Sequence, residues 1–470
     1  MSPSPNIIVI GGGISGLACA QRLRKEGLSV ALLEGSPRFG GVLDTIEKDA
    51  FRFDVGPQSF LATAALMALI EELGLAGELL RADPRAPRYI LLAGRLIPAP
   101  LGPLSLLRTP LIGWRTKFRL LSEALGHTLP PEGDESIAAF IRRKFGEDLL
   151  ANLAGPFISG VYAGDPEKLS ITGAFPIARQ LEDRFGSVIR GAIKMRRQAG
   201  SGPRQPRPPL CNFRKGTVTL VDALAAALGD SARRGVRVTA ISRSASDQQP
   251  AGFDVTYREG DATRSLSACA IVLATPAGQA GNLLGNVEPQ FTDLLAQVEY
   301  APVAQVAAGY RLAQISRFRT SPARGFGFLV PRTEGLRLLG TVWNSFLFAG
   351  RAPDTPGKMA LFTSFVGGAT DPEICRLAES ELAALVHKEL AGVLGIDGAP
   401  VVQHVARWER ALPQYNLGHP RVVAALGELC AGSPGIFLTG NYLAGPSMGA
   451  CVEHANKTAG AAAQFLRAQP

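Results

Sequence analysis

Cysteine, histidine and tryptophan are all scarce in this chain, with 6, 5 and 3 among 470 residues. The six cysteines (Cys19, Cys211, Cys269, Cys375, Cys430 and Cys451) lie far apart, without a C-x-x-C pair or metal-ligand spacing. That excludes a disulfide framework and a metal centre, and the cysteines read as small core residues of a reducing compartment. No uninterrupted apolar run reaches roughly 18 residues, so no membrane-spanning helix is expected. Met1 to Asn6 has neither a basic nor an apolar leader pattern, so no signal peptide is expected. No Ser/His/Asp arrangement stands out.

What the chain does have is a dense opening. Ile7-Ile8-Val9-Ile10 is an apolar, β-branched run that predicts a buried strand. Gly11-Gly12-Gly13-Ile14-Ser15-Gly16 follows at once and satisfies G-x-G-x-x-G. Leu17, Ala18, Ala20 and Leu23 recur at helical spacing until Gly27, and Val30 to Leu33 predicts a second strand ending at Glu34. Here Gly11 permits a tight turn, Gly13 lets backbone approach a pyrophosphate, and Gly16 lets helix pack on strand. The helix N-terminus offers free N–H groups to phosphate, and Glu34 is placed to accept from a ribose. The pattern predicts a dinucleotide site. Gly35-Ser36-Pro37-Arg38-Phe39-Gly40-Gly41-Val42 then supplies an arginine for phosphate and a glycine pair for close passage beside an extended cofactor. This block is similar to that of the flavoproteins that include amine oxidases, phytoene desaturases and protoporphyrinogen oxidases. The resemblance implies FAD rather than NAD.

The net charge of +9 is local. Residues 81–215 carry 22 Lys and Arg against 11 Asp and Glu, leaving the remainder near −2. Aromatic interleaving and nucleic-acid motifs are missing, so no nucleic acid is expected as a partner. An acidic small substrate and an anionic membrane surface fit better. In the same region Pro98, Pro100, Pro103 and Pro110 punctuate an apolar stretch from Leu96 to Trp114. Helical patterns follow over 114–125, 135–145, 149–161 and 187–197, then a loop rich in Pro, Gly and Arg from Gly200 to Pro209. Apolar helices edged with Arg and Lys can lie in a bilayer interface without spanning it; a solvated helical insertion explains the pattern equally well.

Alternating α/β character returns beyond Lys215. A helix is predicted over 220–228, strands over 235–241, 253–257 and 270–274, and a strand over 435–441. Gly445-Pro446-Ser447-Met448-Gly449 then opens a helix to about Leu466, bringing a second helix N-terminus toward the cofactor. The expected fold is α/β, with a Rossmann-like FAD-binding domain threaded from residues 1–84, 215–285 and 410–470. An α+β substrate-binding domain is expected from 85–125 and 286–409, and a helical, basic, membrane-associating insertion from 126–214.

Further blocks narrow the resemblance. Gly56-Pro57-Gln58-Ser59, Arg88-Tyr89-Ile90-Leu91, Gly160-Val161-Tyr162-Ala163-Gly164-Asp165, Gly325 to Pro331, Phe365-Val366-Gly367-Gly368 and Pro413 to His419 occur in the order seen in protoporphyrinogen oxidases. The chain resembles that family over nearly its whole length. Departures are Gln58, where plant relatives usually have Asn, and Gly449-Ala450-Cys451, where an acid usually precedes the cysteine. The resemblance implies oxidation of protoporphyrinogen IX to protoporphyrin IX in heme biosynthesis, by rounds of hydride transfer to FAD with molecular oxygen as acceptor and peroxide as product. Arg88 would pair with a propionate, and Phe326, Leu329 and Phe365 would wall the ring. Gly327 would leave room for it. Gly56, Pro57, Gln58 and Ser59 would lie beside the flavin ring, Val238 near the adenine, and Asn441, Pro446, Ser447 and Met448 near the pyrimidine. The flavin carries the chemistry, so no side chain is named catalytic and no metal is expected. His419 and His454 read as structural. A cytoplasmic protein held peripherally on the inner face of the cell membrane is expected, and a homodimer stays open. The rivals are coproporphyrinogen III oxidation, an amine oxidase or carotenoid desaturase, and a flavin-binding protein without catalysis.

Overall fold

The computed structural model describes residues 5–127, 129–198, 208–244, 252–320, 325–353 and 358–469. The first four residues, and residues 200–207 of the expected loop, lie outside the described residues.

The opening unit folds as its pattern predicts, into strand Ile7–Ile10, helix Ile14–Lys25 and strand Val30–Glu34. Ile7–Ile10 is the middle of five parallel strands, ordered Ala232–Arg234, Val30–Glu34, Ile7–Ile10, Ala270–Leu273 and Ile436–Leu438. An all-apolar run suits a parallel strand covered on both faces. Ile7 and Val9 enter a core made with helices Ile14–Lys25 and Met448–Arg467. Ile8 and Ile10 enter another, made with helix Ala277–Leu284 and the antiparallel strands Val236–Arg243 and Phe253–Glu259. Small residues (Cys19 and Ala20 against Ala455 and Ala459) face one another where the first and last helices meet.

A second sheet has seven strands, in the order Val402–Pro413, Tyr300–Arg311, Met359–Gly367, Leu338–Val342, Gly327–Leu329, Arg88–Leu92 and Arg95–Pro98. Alternation divides its residues. Ala304, Val306, Phe328, Phe362 and Val366 pack beneath helix Glu379–Leu394. On the opposite face Leu329, Gly340, Phe365 and Gln305 stand directly across from one another, strand by strand. The neighbouring row is Arg88, Gly327, Val342, Thr363 and Ala307. This face is tied to the parallel-sheet region. Gln305 Nε2 donates to the Gly56 carbonyl at 2.9 Å, and Trp408 Nε1 to the Val55 carbonyl at 2.8 Å.

Helices fill residues 103–198. Trp114–Leu125 matches its predicted bounds, and helices Ile137–Lys144 and Val188–Gln198 fall within a residue or two of theirs. The pattern over 149–161 resolves into three pieces: Glu147–Leu149, wider π-type turns over Leu150–Ala154, and helix Gly155–Tyr162. Pro156 has no N–H for the carbonyl four residues back, and the ladder widens just before it. Among the described residues no helix is long and apolar enough to cross a membrane.

This helical region is built charge-inward. Lys144 and Glu182 are almost fully buried and paired at 2.7 Å, with Glu123 3.6 Å from the same ammonium. Arg143 clasps Glu182 with both guanidinium nitrogens, at 2.7 and 3.0 Å. Glu123 also accepts from the Val188 and Ile189 amides, at 2.7 and 3.2 Å, and so caps the next helix with negative charge. Meanwhile Trp114, Phe118, Leu121 and Leu125, at helical spacing, are 73, 66, 54 and 84% exposed.

Of the six expected core cysteines, Cys19, Cys211 and Cys451 are buried and Cys375 and Cys430 half-buried, whereas Cys269 is exposed; all are free thiols. Cys269 falls between the end of one strand and the start of a central one, where the chain crosses the surface.

Candidate functional site

The parallel sheet ends in a glycine cradle. Gly11 has φ +109°, and a methyl placed on it would fall 2.8 Å from the Ala274 carbonyl oxygen. A methyl on Gly16 would fall 1.8 Å from the Gly11 carbonyl oxygen, so helix and strand approach closer than any side chain permits. Gly13 differs: nothing lies within 4 Å of a methyl there. It precedes helix Ile14–Lys25, whose first-turn amides receive no side-chain cap. Open space before uncapped amides is what a pyrophosphate requires, and Ile14, Ser15 and Gly16 supply those amides. Gly12 N–H donates to Glu34 Oε2 at 2.6 Å, and the Ser36 amide donates to Oε1 at 2.7 Å. Glu34 therefore stands at the strand tip against the loop. Gly35 lies 3.6 Å, measured from an added methyl, from the Arg237 backbone, which brings strand Val236–Arg243 and Val238 to the same end.

Gly40 donates to the Gly12 carbonyl at 2.8 Å and Gly41 packs beside Gly13, so the glycine pair closes over the cradle. Arg38 holds it there. Its guanidinium donates to the carbonyls of Gly41 (2.7 Å), Leu43 (3.1 Å) and Phe39 (3.2 Å) and pairs with Asp44 at 3.3 Å. Expected to neutralise phosphate, Arg38 is instead occupied in shaping the loop. Val42 and Gly56 press together, a methyl on Gly56 falling 1.9 Å from the Val42 carbonyl oxygen.

Among the described residues five buried hydroxyl oxygens have no partner, and two of them, Thr275 Oγ1 and Thr63 Oγ1, lie here. Thr275 adjoins Gly11, and Thr63 adjoins Gly449 in the first turn of the last helix. They mark the two sides of the cradle, and unpaired buried hydroxyls there suit a polar cofactor. Sequence reasoning passed over both; Thr275 at a strand end was the available signal. At the far side Ser447 caps helix Met448–Arg467 by accepting from the Ala450 amide, and Pro446 precedes it. Met448, expected to line the flavin, buries its side chain in the core and retains only a first-turn N–H for a ligand. The Asn441 carbonyl accepts from Tyr415 Oη at 2.7 Å. The residues present fit FAD.

Gln58 corrects the reading of the Gly56-Pro57-Gln58-Ser59 turn. Its side chain is buried, donating to the carbonyls of Asp54 (2.6 Å) and Gly56 (2.9 Å) and accepting from Asn344 Nδ2 at 2.6 Å. It braces the turn from behind and offers no face to a cofactor.

The wall assembles as a face of the seven-stranded sheet. Arg88 lies over the Phe326 ring, 5.3 Å from its centre, opposite Gly327 in the register. Among the described residues no carboxylate pairs with its guanidinium. Leu329 sits against Gly160 of helix Gly155–Tyr162, where a methyl would fall 2.4 Å from Leu329 Cδ2. Phe365 stands one strand beyond Gly340. Gly327 is a correction: its φ is +135° and a methyl would meet the Thr341 carbonyl oxygen at 1.9 Å. Strand pairing demands this glycine, not clearance for a ring. Gly160, which frees Leu329, is the glycine that shapes the wall.

Both histidines are structural. Buried His419 meets the Tyr442 carbonyl at 2.9 Å and His454 meets Thr439 Oγ1 at 3.1 Å, and burial lowers the pKa of each. Among the described residues no cluster of His, Cys, Asp and Glu could hold a metal ion.

Comparison with known proteins agrees with this geometry. Residues 14–465 match the family described as flavin containing amine oxidoreductase. The chloroplastic protoporphyrinogen oxidase of Nicotiana tabacum is 35% identical, over 98% of this chain and 85% of that protein. The coproporphyrinogen III oxidase of Bacillus subtilis is 29% identical over 98% of each. The crystal structure of a candidate protoporphyrinogen oxidase from Exiguobacterium sp. 255-15 superposes with a TM-score of 0.80 and 25% identity, covering 97% of this chain and 98% of that one. Putrescine oxidase bound to putrescine, 18% identical with a TM-score of 0.68, shares the fold. The chain is an FAD-dependent oxidoreductase and belongs to the flavin-containing amine oxidoreductase family, in its protoporphyrinogen oxidase branch.

Proposed function

We propose that the protein oxidises protoporphyrinogen IX to protoporphyrin IX in heme biosynthesis, using molecular oxygen. The observation that carries this reading is the Arg88 guanidinium, over the Phe326 ring and without a carboxylate partner among the described residues, at the edge of an apolar wall built from Phe326, Leu329 and Phe365. A flat, greasy ring with a carboxylate tail asks for that combination, and guanidinium suits carboxylate bidentately. When bound, FAD supplies a hydride acceptor that oxygen can reoxidise. Gly13 and the first-turn amides of Ile14, Ser15 and Gly16 would hold its pyrophosphate, Glu34 its ribose, and the turn at Gly56 and Pro57 with Pro446 and Ser447 its ring. The sheet face orients the macrocycle and excludes water, while Arg88 fixes its rotation. Four chloroplastic protoporphyrinogen oxidases match at 34–36%, whereas the mitochondrial enzyme of Nicotiana tabacum and protoporphyrinogen oxidase 2 of Arabidopsis thaliana match at 29 and 26%, level with or below the 29% of the Bacillus coproporphyrinogen III oxidase. An aerobic assay with both porphyrinogens, following porphyrin fluorescence and peroxide together, tests the reading. Faster turnover of the protoporphyrinogen is expected; exclusive turnover of the coproporphyrinogen overturns the choice.

We also propose the three-part organisation, with nucleotide, substrate and helical regions, the helical one extended from its expected start at 126 to include helix Trp114–Leu125, whose Leu120 shares a core with Ile137, Phe140 and Ile158, and peripheral attachment of this region to an anionic membrane surface on the cytoplasmic side. The apolar stripe Trp114, Phe118, Leu121 and Leu125, beside Arg115, Lys117 and Arg119 on the same helix, supports a lipid occupant. Co-sedimentation with anionic vesicles, weakening as salt rises, is the expected result. Indifference to lipid refutes attachment.

A further inference from the structure

Three buried amides join the flavin turn to the substrate wall. Gln58, Gln305 and Asn344 are 6, 6 and 2% exposed and come from a turn, a sheet strand and a short helix. The Gly56 carbonyl accepts from Gln58 Nε2 and Gln305 Nε2, each at 2.9 Å, so both of its lone pairs are used. Gln58 Nε2 also reaches Gln305 Oε1 at 3.4 Å, and Asn344 Nδ2 donates to Gln58 Oε1 at 2.6 Å. Asp54 stands behind the turn: its own carbonyl accepts from Gln58, and its carboxylate accepts from Asn212 at 2.8 Å. Gln305 is therefore the only wire, among these contacts, that runs straight from Gly56 into the central strands.

That strand position matters. Gln305 lies directly across from Phe365, which lies across from Gly340 and then Leu329. At about 4.8 Å per strand, a row of roughly 14 Å runs from Gln305 to Leu329, with a register irregularity between Leu338 and Gly340 in its third strand. A shift at Gln305 bears first on Phe365, its partner in a regularly paired ladder. We propose that Gln305 is a positioning residue, setting the distance between the substrate wall and the flavin by donating to the Gly56 carbonyl.

The test compares three FAD-loaded proteins: wild type, Gln305→Leu and Gln305→Glu. Leucine keeps the volume and removes the donor. Misplacement on the scale of an ångström slows reactions by up to about a hundredfold. Anaerobic flavin reduction by protoporphyrinogen is expected to fall between about tenfold and a hundredfold in Gln305→Leu, with KM, FAD content and reoxidation by oxygen unchanged. A buried glutamic acid donates like glutamine while protonated and repels the carbonyl once ionised. Gln305→Glu should therefore approach the wild-type rate at acid pH and lose it as pH rises, a limb absent from wild type. Wild-type rates in Gln305→Leu, or a flat pH profile in Gln305→Glu, overturn the proposal. Should Gln305→Leu fail to retain FAD, the Gln305→Glu profile decides alone. The inference rests on the proposed reaction for its kinetic readout. The visible circular dichroism of bound FAD reads the turn without substrate, and is expected to titrate in Gln305→Glu only. A wild type that porphyrinogen cannot reduce would refute the reaction, while the circular dichroism would still judge Gln305.

Discussion

The parallel sheet and the helical region solve opposite problems with the same twenty side chains. In the sheet, Ile7 to Ile10 are all but fully buried and the polar work is confined to backbone amides at its edge. In the helical region Lys144, Glu182 and Glu123 sit inside, and Trp114, Phe118, Leu121 and Leu125 sit outside. The first arrangement gains stability from area removed from water. The second has a smaller apolar core, with Leu120, Ile137, Phe140 and Ile158, leaves an apolar stripe on its outer face and sets a buried ion-pair cluster inside.

The contrast can be broken most forcefully at Glu182. Glu182→Ala removes the carboxylate that buried Lys144 and half-buried Arg143 share; Glu123 stays 3.6 Å from Lys144 and Glu135 stays on Arg143, and loss of one partner of a buried pair costs about 3–5 kcal/mol. Denaturant titration followed in the helical region should show an early transition, with FAD still bound. Next comes a matched pair of truncations. Leu32→Ala, at a fully buried position, should cost about 2–5 kcal/mol in thermal or denaturant unfolding. Leu125→Ala, at the most exposed large apolar residue, should stay within about 0.5 kcal/mol while weakening vesicle binding. Equal losses at the two sites would erase the distinction. Arg88→Ala should raise KM by about tenfold to a hundredfold, the worth of a charged hydrogen bond of about 1.5–3 kcal/mol, with FAD content unchanged.

The smallest effect is with pH. Burial alone would raise the Glu182 carboxyl, but hydrogen bonds from Arg143 and Lys144 outweigh it and hold its pKa below the usual range. The ionised form is thus favoured by folding. Its stabilisation is complete above roughly pH 4.3, the ordinary glutamate value, and fades as pH falls through the lower folded value. Hydrogen exchange should show the helical region loosening in acid before the parallel sheet does. Simultaneous loosening would contradict this.

Legibility in the sequence followed the distance between partners. Ile7 to Glu34 was readable because strand, turn, helix and strand are contiguous, and each glycine's neighbour lies within the same unit. Gln58 was not readable. It looked like one more residue beside a flavin, but its decisive partners, Gln305 and Asn344, lie 247 and 286 positions away. Gly327 was misread for the same reason: the Thr341 carbonyl that requires it belongs to a neighbouring strand. The basic balance of residues 81–215 was countable, yet composition could not say that Lys144 points inward and Leu125 outward.

By itself, then, the sequence determined the strand–turn–helix of the glycine cradle and, within a residue or two, the bounds of helices Trp114–Leu125, Ile137–Lys144 and Val188–Gln198, since period and turn chemistry are local properties. Only the tertiary structure decided which glycines are demanded by strand pairing, which charges are buried, and that Gln305 donates to the Gly56 carbonyl. Those outcomes depend on contacts closed between separate elements, from 14 positions apart for Gly327 and Thr341 to 249 for Gly56 and Gln305, and no local pattern encodes where such a partner will be.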